Sequence, residues 1–422
     1  MHRPQSERYE IRGDVAFMSS SETRMATSDG PRIQRFVEDI FRSLHRVEQH
    51  RWARAYLRAL LQGSGKKTPR RMAQEDFLPA AALRGLHQFI NASSWDWRPV
   101  RRGLARRVAA TASPYAWTVA ELVIPKNGEH SVGVHRRVDP ATRRTVNCQR
   151  ALGLFLAGAQ GAFPVDWSLV LSGPWDGDPE RRRRARIPEG EKERPVGAYV
   201  LDYAADAVTL PHVAGLPWVL DLTRCDDAAG VLVGLARERL DVLAEVDPGQ
   251  VVLVGQHTPT VRTVGGLMGV RHARQPHVMM RQAPDGRTKA VTIHTYTGTV
   301  RLPQLAGADG GSRAYRILER PALDGRLPAR YWLTSLTDRP VDEVLSLVRG
   351  RTAALSAVSV LQNRLGVLDF EGRSFPGWHH HMTMASAAYA YQYLDDDPEH
   401  PVDPPPAARA AEPSGAGASR RA

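Results

Sequence analysis

Apolar residues recur at steps of three and four between residues 340 and 365, a spacing that predicts a long helix with one buried face. Gly366 stands where such a helix would end. The twelve residues from Thr352 to Asn363 include no charged side chain. The middle of this helix therefore carries no carboxylate. The expected buried face consists of Val344, Leu347, Val348, Leu355, Val358, Leu361 and Leu365.

The same helical period predicts several helices between residues 34 and 110. One of them is expected to start at residues 96–99, where Pro99 stands near the first turn. Residues 1–33 have no such period and are rich in Ser, Arg and Gly, which predicts a disordered leader. The Pro- and Ala-rich residues 395–422 predict a disordered tail.

The central part of the chain contains the apolar and alternating runs that are typical of strands. A helical segment at residues 197–207 interrupts them. From about residue 245 to 330, short strand-like segments alternate with loops rich in Pro and Gly, which predicts a β-rich insertion. The strands expected before the insertion cover residues 117–124, 132–138, 148–157, 165–171 and 217–221.

The composition limits the class of protein. With 422 residues, of which 42% are hydrophobic, the chain is long enough for two or three globular domains. It contains no run of 18 apolar residues, so no membrane contact is expected, and its first residues form no apolar signal core. The two cysteines, Cys148 and Cys225, cannot form a disulfide framework, which indicates a reducing, cytoplasmic location.

The net charge of +12 is unevenly distributed. Residues 1–110 hold 21 Lys and Arg against 11 Asp and Glu, and the rest of the chain is nearly balanced. A basic surplus of this kind indicates a polyanionic partner, because each neutralised phosphate releases condensed counterions. The alternative is a solvated basic face that serves only solubility. The candidate phosphate contacts are Lys66, Lys67, Arg70, Arg71, Arg101 and Arg102.

Several motifs resemble DDE transposases of bacterial insertion sequences. They are the strand WTVAELVIPK at residues 117–126, HSVGV at 130–134, NCQ at 147–149, RYWLTSL at 330–336, FEGRS at 370–374 and GWHHH at 377–381. The resemblance covers about residues 34 to 394. It implies an α/β fold: a helical DNA-binding domain at 34–110, then a ribonuclease-H-like domain at 111–394. That domain would hold a mixed sheet with flanking helices and the β-rich insertion.

The resemblance also implies a catalytic trio of carboxylates holding two Mg²⁺ ions. Its first acid falls on residues 120 and 121, which are Ala120 and Glu121 here. Its second acid is matched by Asp221, and its third falls on Val360. Valine cannot bind a hard cation, which requires oxygen ligands. The remaining metal ligands implied by the resemblance are therefore Glu121 and Asp221.

Two functions fit these residues. One is a transposase-derived protein that binds double-stranded DNA, alone, as a homo-oligomer or with an intact transposase, and is unable to cut or join it. The alternative is an active transposase whose acidic site is rearranged, with Asp369 or Glu371 in the lost position and Mg²⁺ as the cofactor. The triplet His379 to His381 is not expected to bind a metal, because three consecutive residues cannot all face one ion.

Overall fold

The computed structural model describes residues 20–138, 143–255, 257–282, 288–305, 313–322 and 328–394. The predicted tail at 395–422 and the first 19 residues of the predicted leader lie outside them. The first helix begins at Ser20, so the helical part of the chain starts earlier than the period predicted. The five N-terminal helices are α1 (Ser20–Ile40), α2 (Val47–Gln62), α3 (Pro69–Met72), α4 (Ala82–Asn91) and α5 (Trp97–Thr111).

The helix at the opposite end of the described chain forms the centre of this helical bundle. Helix α13 (Phe375–Tyr393) begins at its N-cap Ser374, whose hydroxyl accepts from the backbone N–H of Gly377 at 3.2 Å. Nearly all of α13 is buried, and it packs against α2, α4 and α5 on one side and against strand β4 on another. The predicted helical segment 34–110 therefore takes its core from residues more than 250 positions later.

The main sheet has the ribonuclease-H-like strand order β4-β3-β1-β5-β6, which confirms the predicted fold class. Strand β3 runs antiparallel to both β1 and β4, whereas β1, β5 and β6 run parallel to one another. The short β2 pairs with the beginning of β3. The strands are β1 (Pro114–Pro125), β2 (His135–Val138), β3 (Thr145–Gly158), β4 (Gly161–Val170), β5 (Trp218–Asp221) and β6 (Val242–Val246).

The β-rich insertion extends the same sheet. Strand β13 pairs antiparallel with β6, and β12, β10 and β9 follow in that order, so the path ends at β9. Strands β7, β8 and β11 form a separate three-stranded sheet. The insertion strands are β7 (Val251–Val254), β8 (Thr260–Thr263), β9 (Arg274–Gln282), β10 (Thr288–Tyr296), β11 (Val300–Arg301), β12 (Arg316–Arg320) and β13 (Arg330–Thr334).

Five short helices connect the strands. Helices α6 (Pro174–Gly177) and α7 (Pro179–Ala185) follow β4, and α8 (Val196–Ala207) precedes β5. Helix α9 (Ala228–Arg237) joins the parallel strands β5 and β6, and α10 (Val264–Met268) lies in the insertion. The predicted helix at residues 197–207 thus matches α8.

The long helix predicted before Gly366 is divided at Leu347 into α11 (Val341–Ser346) and α12 (Val348–Asn363). Helix α12 packs against β1, β3, β4 and β5. Leu355 was predicted to be buried, but its side chain is 43% exposed. Close packing on the strands selects small residues instead, as at Gly350, where an added Cβ would lie 2.8 Å from Cβ of Ala157. The buried residues of α12 are Gly350, Ala354, Ser356, Ala357, Val358, Val360 and Leu361.

Together, α11 and α12 have the length and apolar composition of a membrane-spanning helix. The stretch Val341–Asn363 reaches a mean hydropathy of 1.4, and half of that window is buried inside the protein. A helix that is apolar on most sides and packed on a sheet is typical of a protein core.

Candidate metal site and nucleic-acid interface

Asp221, the predicted second acid, ends strand β5 and is held by protein groups. Its Oδ1 accepts from the backbone N–H of Thr223 at 3.0 Å and from the Thr223 hydroxyl at 2.6 Å. Its Oδ2 forms an ion pair with the guanidinium of Arg351 on helix α12. Both carboxylate oxygens of Asp221 thus have partners within the chain.

Glu245 is the in-register neighbour of Asp221 on strand β6, and no sequence motif marks it as a site residue. It is buried, and its Oε1 accepts from Nε of Arg330 at 2.5 Å. Nη1 of Arg351 lies 3.7 Å from Oε2 of Glu245. The hydrogen bonds that Arg330 donates to Glu245 raise the pKa of Arg330 above its usual value. Arg351 therefore bridges two carboxylates of neighbouring strands.

Asp221 and Glu121 lie on opposite faces of the sheet. Strands β1 and β5 run parallel and pair Thr118 with Val219. Because side chains alternate between the faces of a strand, Asp221 shares the face of Thr118 and Ala120. The residue of β1 level with Asp221 is Ala120. The expectation that Glu121 and Asp221 share a metal ion is therefore wrong, since the sheet separates their side chains.

Two arginines donate hydrogen bonds to the carboxylate of Glu121. Its Oε1 accepts from Nε of Arg150 at 2.6 Å and from Nη1 of Arg137 at 2.9 Å. Burial raises the pKa of Glu121, but the hydrogen bonds and charges of Arg150 and Arg137 outweigh it, so the pKa lies below its usual value. Glu121 is ionised and paired on the face turned away from α12.

Helix α12 lies on the Asp221 face, as the Arg351 ion pair and the contact between Gly350 and Ala157 show. On this face the position level with Asp221 is apolar, and Val360 of α12 is buried with 4% of its surface exposed. Among the residues that the structure describes, no cluster of three or more His, Cys, Asp or Glu could hold a metal ion.

The two acids considered as substitutes stand on the loop after α12. Oδ2 of Asp369 accepts from the backbone N–H of Lys67 at 2.8 Å, and Glu371 is exposed. Between them, the carbonyl of Phe370 accepts from Nζ of Lys126 at 2.6 Å. Burial lowers the pKa of Lys126 to about 8, although Asp369 and Glu371 act in the opposite direction. Asp369 is thus committed to fixing this loop on the helical bundle.

Two of the six predicted phosphate contacts are buried. Lys67 is 6% exposed, and its ammonium donates to the carbonyls of Ala59 and Gly63. Arg101 is 3% exposed and binds Asp166 at 2.6 Å. Neither cation can reach a phosphate, because each is enclosed by its own partners. The prediction of DNA contact is therefore wrong for Lys67 and Arg101.

The other four predicted contacts are exposed. Lys66, Arg70 and Arg71 lie around the short helix α3, and Arg102 lies on α5. Nη2 of Arg102 is 3.3 Å from Oδ1 of Asp206, and both side chains are more than half exposed. Exposed ion pairs of this kind are weak, so Arg102 remains available to another anion.

The histidine triplet forms part of the core of the bundle. Nδ1 of His381 contacts the hydroxyl of Tyr56 at 2.9 Å, and its Nε2 contacts the carbonyl of Gly366 at 2.8 Å. His380 places its nitrogens 2.9 Å and 2.8 Å from the carbonyls of Ile90 and Trp95. Burial lowers the pKa of both histidines to about 4. The ring nitrogens of His380 and His381 therefore face protein groups. Nδ1 of His379 likewise lies 3.1 Å from Nη2 of Arg101.

The DDE superfamily endonuclease family matches residues 39–306, and the chain belongs to that family. Comparison with the curated proteins finds no match. The solved structures include a similar chain, the piggyBac transposase in a synaptic complex with hairpin DNA, at 10% identity and a TM-score of 0.41. The similarity covers 81% of this chain and 64% of the length of that one.

Proposed function

We propose that this protein is a transposase-like member of the DDE endonuclease family that binds double-stranded DNA without cutting or joining it. The observation that carries the proposal is the bridge formed by Arg351 between Asp221 and Glu245. Endonucleases of this family generally use divalent metal ions. In this chain, an arginine is the cation that neutralises the carboxylates beside helix α12.

The chemistry of the site supports this reading. Two-metal catalysis needs oxygen ligands that hold the ions about 3.5–4 Å apart. Ala120 is level with Asp221 on β1, and Val360 stands where the resemblance puts the third acid; neither side chain can coordinate a hard cation. Arginine keeps its proton under all physiological conditions, so the bridge does not open by titration of Arg351. A metal ion would have to displace a guanidinium and would gain few ligands in return.

DNA binding rests on the charge and on the exposed cations. The N-terminal part of the chain carries most of the net charge of +12. Four of the predicted cations, Lys66, Arg70, Arg71 and Arg102, are exposed. Phosphate contacts by such groups give affinity that falls steeply with salt. The protein would act in the cytoplasm, without a membrane, as a homo-oligomer or in a mixed oligomer with an intact transposase.

The test combines cleavage and binding on the full chain. Supercoiled DNA is incubated with the protein and Mg²⁺ or Mn²⁺, and a labelled duplex is titrated in parallel by fluorescence anisotropy. We expect salt-dependent binding and no nicking above the background of a preparation of Asp221→Ala. Metal-dependent nicking by the unaltered protein, abolished in Asp221→Ala, would make it an active enzyme with a rearranged acidic site.

A further inference from the structure

A basic groove of about 460 Å³ lies between the helical bundle, the end of helix α7 and the loop that precedes α13. Helices α3 and α4 form one wall, the end of α7 forms another, and Asp369 with the FEGRS loop at residues 370–374 forms the floor. We call it the seam groove. Its charged lining consists of Lys67, Arg70, Arg184, Arg186 and Arg373 against Asp369 and Glu371.

The seam groove is held together by buried or bonded groups from each wall. Arg186 caps α7 in the left-handed conformation at φ 56°. Its guanidinium donates to the carbonyl of Asn91, at the end of α4, and to the hydroxyl of Ser374 at 2.8 Å, at the start of α13. The floor is tied to the bundle through Lys67 and Asp369. These contacts fix the relative positions of the walls before any ligand arrives.

Three arginines on this frame remain exposed. In the described part of the chain, no ion pair or hydrogen bond engages the guanidinium of Arg70 or of Arg373. Arg184 is 71% exposed and has only a loose pair with Glu180 at 3.6 Å. Guanidinium groups match phosphate oxygens in a bidentate geometry and are weakly hydrated. Three of them around one concave surface favour a phosphodiester backbone over an isolated anion.

The geometry points to the seam groove as the surface that holds the sugar-phosphate backbone of duplex DNA, contacted by Arg70, Arg184 and Arg373. This inference rests on the proposed DNA binding and gives it a location. It also gives a role to the FEGRS loop and to the arginine-rich residues 181–186, neither of which contains a candidate metal ligand of the catalytic trio.

The groove lies near the end of strand β1. Its floor is anchored to Lys126, the residue immediately after strand β1, through the carbonyl of Phe370 at 2.6 Å. Lys126 follows Ala120 by six positions, on the order of 20 Å of extended strand. One strand of B-DNA advances about 3.4 Å per nucleotide. A duplex seated in the groove therefore needs only about half a turn to reach the level of Asp221.

The test compares two triple variants of equal charge. The groove variant carries Arg70→Gln, Arg184→Gln and Arg373→Gln. The control carries Arg224→Gln, Arg237→Gln and Arg262→Gln, which are exposed residues outside the groove. Affinity for a labelled duplex is measured between 50 and 300 mM salt. Three lost phosphate contacts should lower the slope of log affinity against log salt by about 3 and weaken binding by about 100-fold or more at low salt.

A gain of affinity provides the second measurement. Glu371→Gln removes an acidic group from the groove and should tighten binding several-fold, whereas Glu238→Gln, at the end of α9, should tighten it less. A destabilised protein cannot produce this result. Equal losses in the two triple variants would overturn the groove assignment in favour of net charge alone. An unchanged groove variant would overturn it while leaving the proposed function in place, and absence of binding by the unaltered protein would overturn both.

Discussion

Arg101 and Arg102 are adjacent on helix α5 but lie in opposite environments. The side chain of Arg101 is 3% exposed, and its guanidinium binds Asp166, the carbonyl of Trp167, Thr383 and His379. The side chain of Arg102 is 57% exposed. Successive side chains of a helix project about 100° apart. When the side chain of Arg101 points into the bundle, that of Arg102 therefore lies at the edge of the bundle. The pair offers a matched comparison of a structural and a surface arginine.

Replacing Arg101 should destabilise the fold, and replacing Arg102 should not. Arg101→Met removes the buried ion pair with Asp166 and the hydrogen bonds to the carbonyls of Trp167 and His379, a loss of about 3 kcal/mol in the free energy of unfolding. Arg102→Met should stay within about 0.5 kcal/mol of the unaltered protein. Urea unfolding followed by circular dichroism measures both. Equal losses would show that Arg101 does not support the bundle.

Lys66 and Lys67 should separate DNA affinity from stability in the same way. Lys66→Gln removes an exposed cation and should reduce the salt slope of duplex binding by about 1 without altering the unfolding midpoint. Burial lowers the pKa of the Lys67 ammonium, which donates hydrogen bonds to the carbonyls of Ala59 in α2 and of Gly63 at the end of that helix. Lys67→Gln should therefore lower stability by about 1–3 kcal/mol and leave the slope unchanged. A reduced slope for folded Lys67→Gln would return Lys67 to the DNA interface.

Stability should fall when the pH drops below about 6.5. Burial lowers the pKa of His381 to about 4 in the folded protein, although Asp369 and the carbonyl of Gly366 oppose the shift. The unfolded chain binds a proton near its ordinary value of about 6.5, while the folded chain stays neutral until about pH 4. The stabilisation is complete above about 6.5 and is lost progressively as the pH falls to about 4.

The measurement for this prediction is the free energy of unfolding at pH 7 and pH 5. One such histidine contributes a decrease on the order of 2 kcal/mol over this interval. His380 shifts in the same direction, so the unaltered protein should lose more than one histidine explains. His381→Asn should be less stable at pH 7 and should lose about 2 kcal/mol less between the two pH values. An identical pH dependence in this variant would exclude His381 as a contributor.

A metal site should be restored only by acids on the Asp221 face. Ala120→Asp, in an Arg351→Gln background, places a second carboxylate level with Asp221 on the same face of the sheet, and Mn²⁺ should raise the unfolding temperature. Saturation at a hundred times the Kd corresponds to about 2.7 kcal/mol. The control variant carries Glu121→Asp instead of Ala120→Asp. Its new carboxylate lies on the opposite face of the sheet, so Mn²⁺ should not raise its unfolding temperature. A response of the control equal to that of the restored site would contradict the strand register.

The periodicity of the sequence predicted most strands of the main sheet, and the resemblance to transposases implied their ribonuclease-H-like arrangement. Residues 117–124 and 217–221 were expected as strands and form β1 and β5. The register was not accessible, and it decides the site. Ala120 and Glu121 are neighbours, and a shift of one position moves a side chain to the other face of the sheet. Only the pairing of β1 with β5 shows that Ala120 is the residue beside Asp221.

Long-range partners explain the other differences. Lys67 and Arg101 have the local pattern of a solvated surface, but distant segments cover them: the backbone N–H of Lys67 donates to Asp369, 302 positions away, and the guanidinium of Arg101 donates to Thr383, 282 positions away. No local signal reports such contacts. Glu245 could not be predicted as a site residue either. A single acid within an apolar strand gives no signal in the sequence, and its partners Arg330 and Arg351 come from later segments of the chain.

The hydrogen bond between Tyr56 and His381 spans 325 residues and sets an order for synthesis of the chain. At about 5–20 residues per second, a ribosome needs roughly 15–65 s to produce His381 after Tyr56. During that interval the nascent N-terminal helices lack the helix that fills their centre, and their apolar faces remain open to water and to chaperones. Completion of the helical bundle therefore has to await synthesis of helix α13.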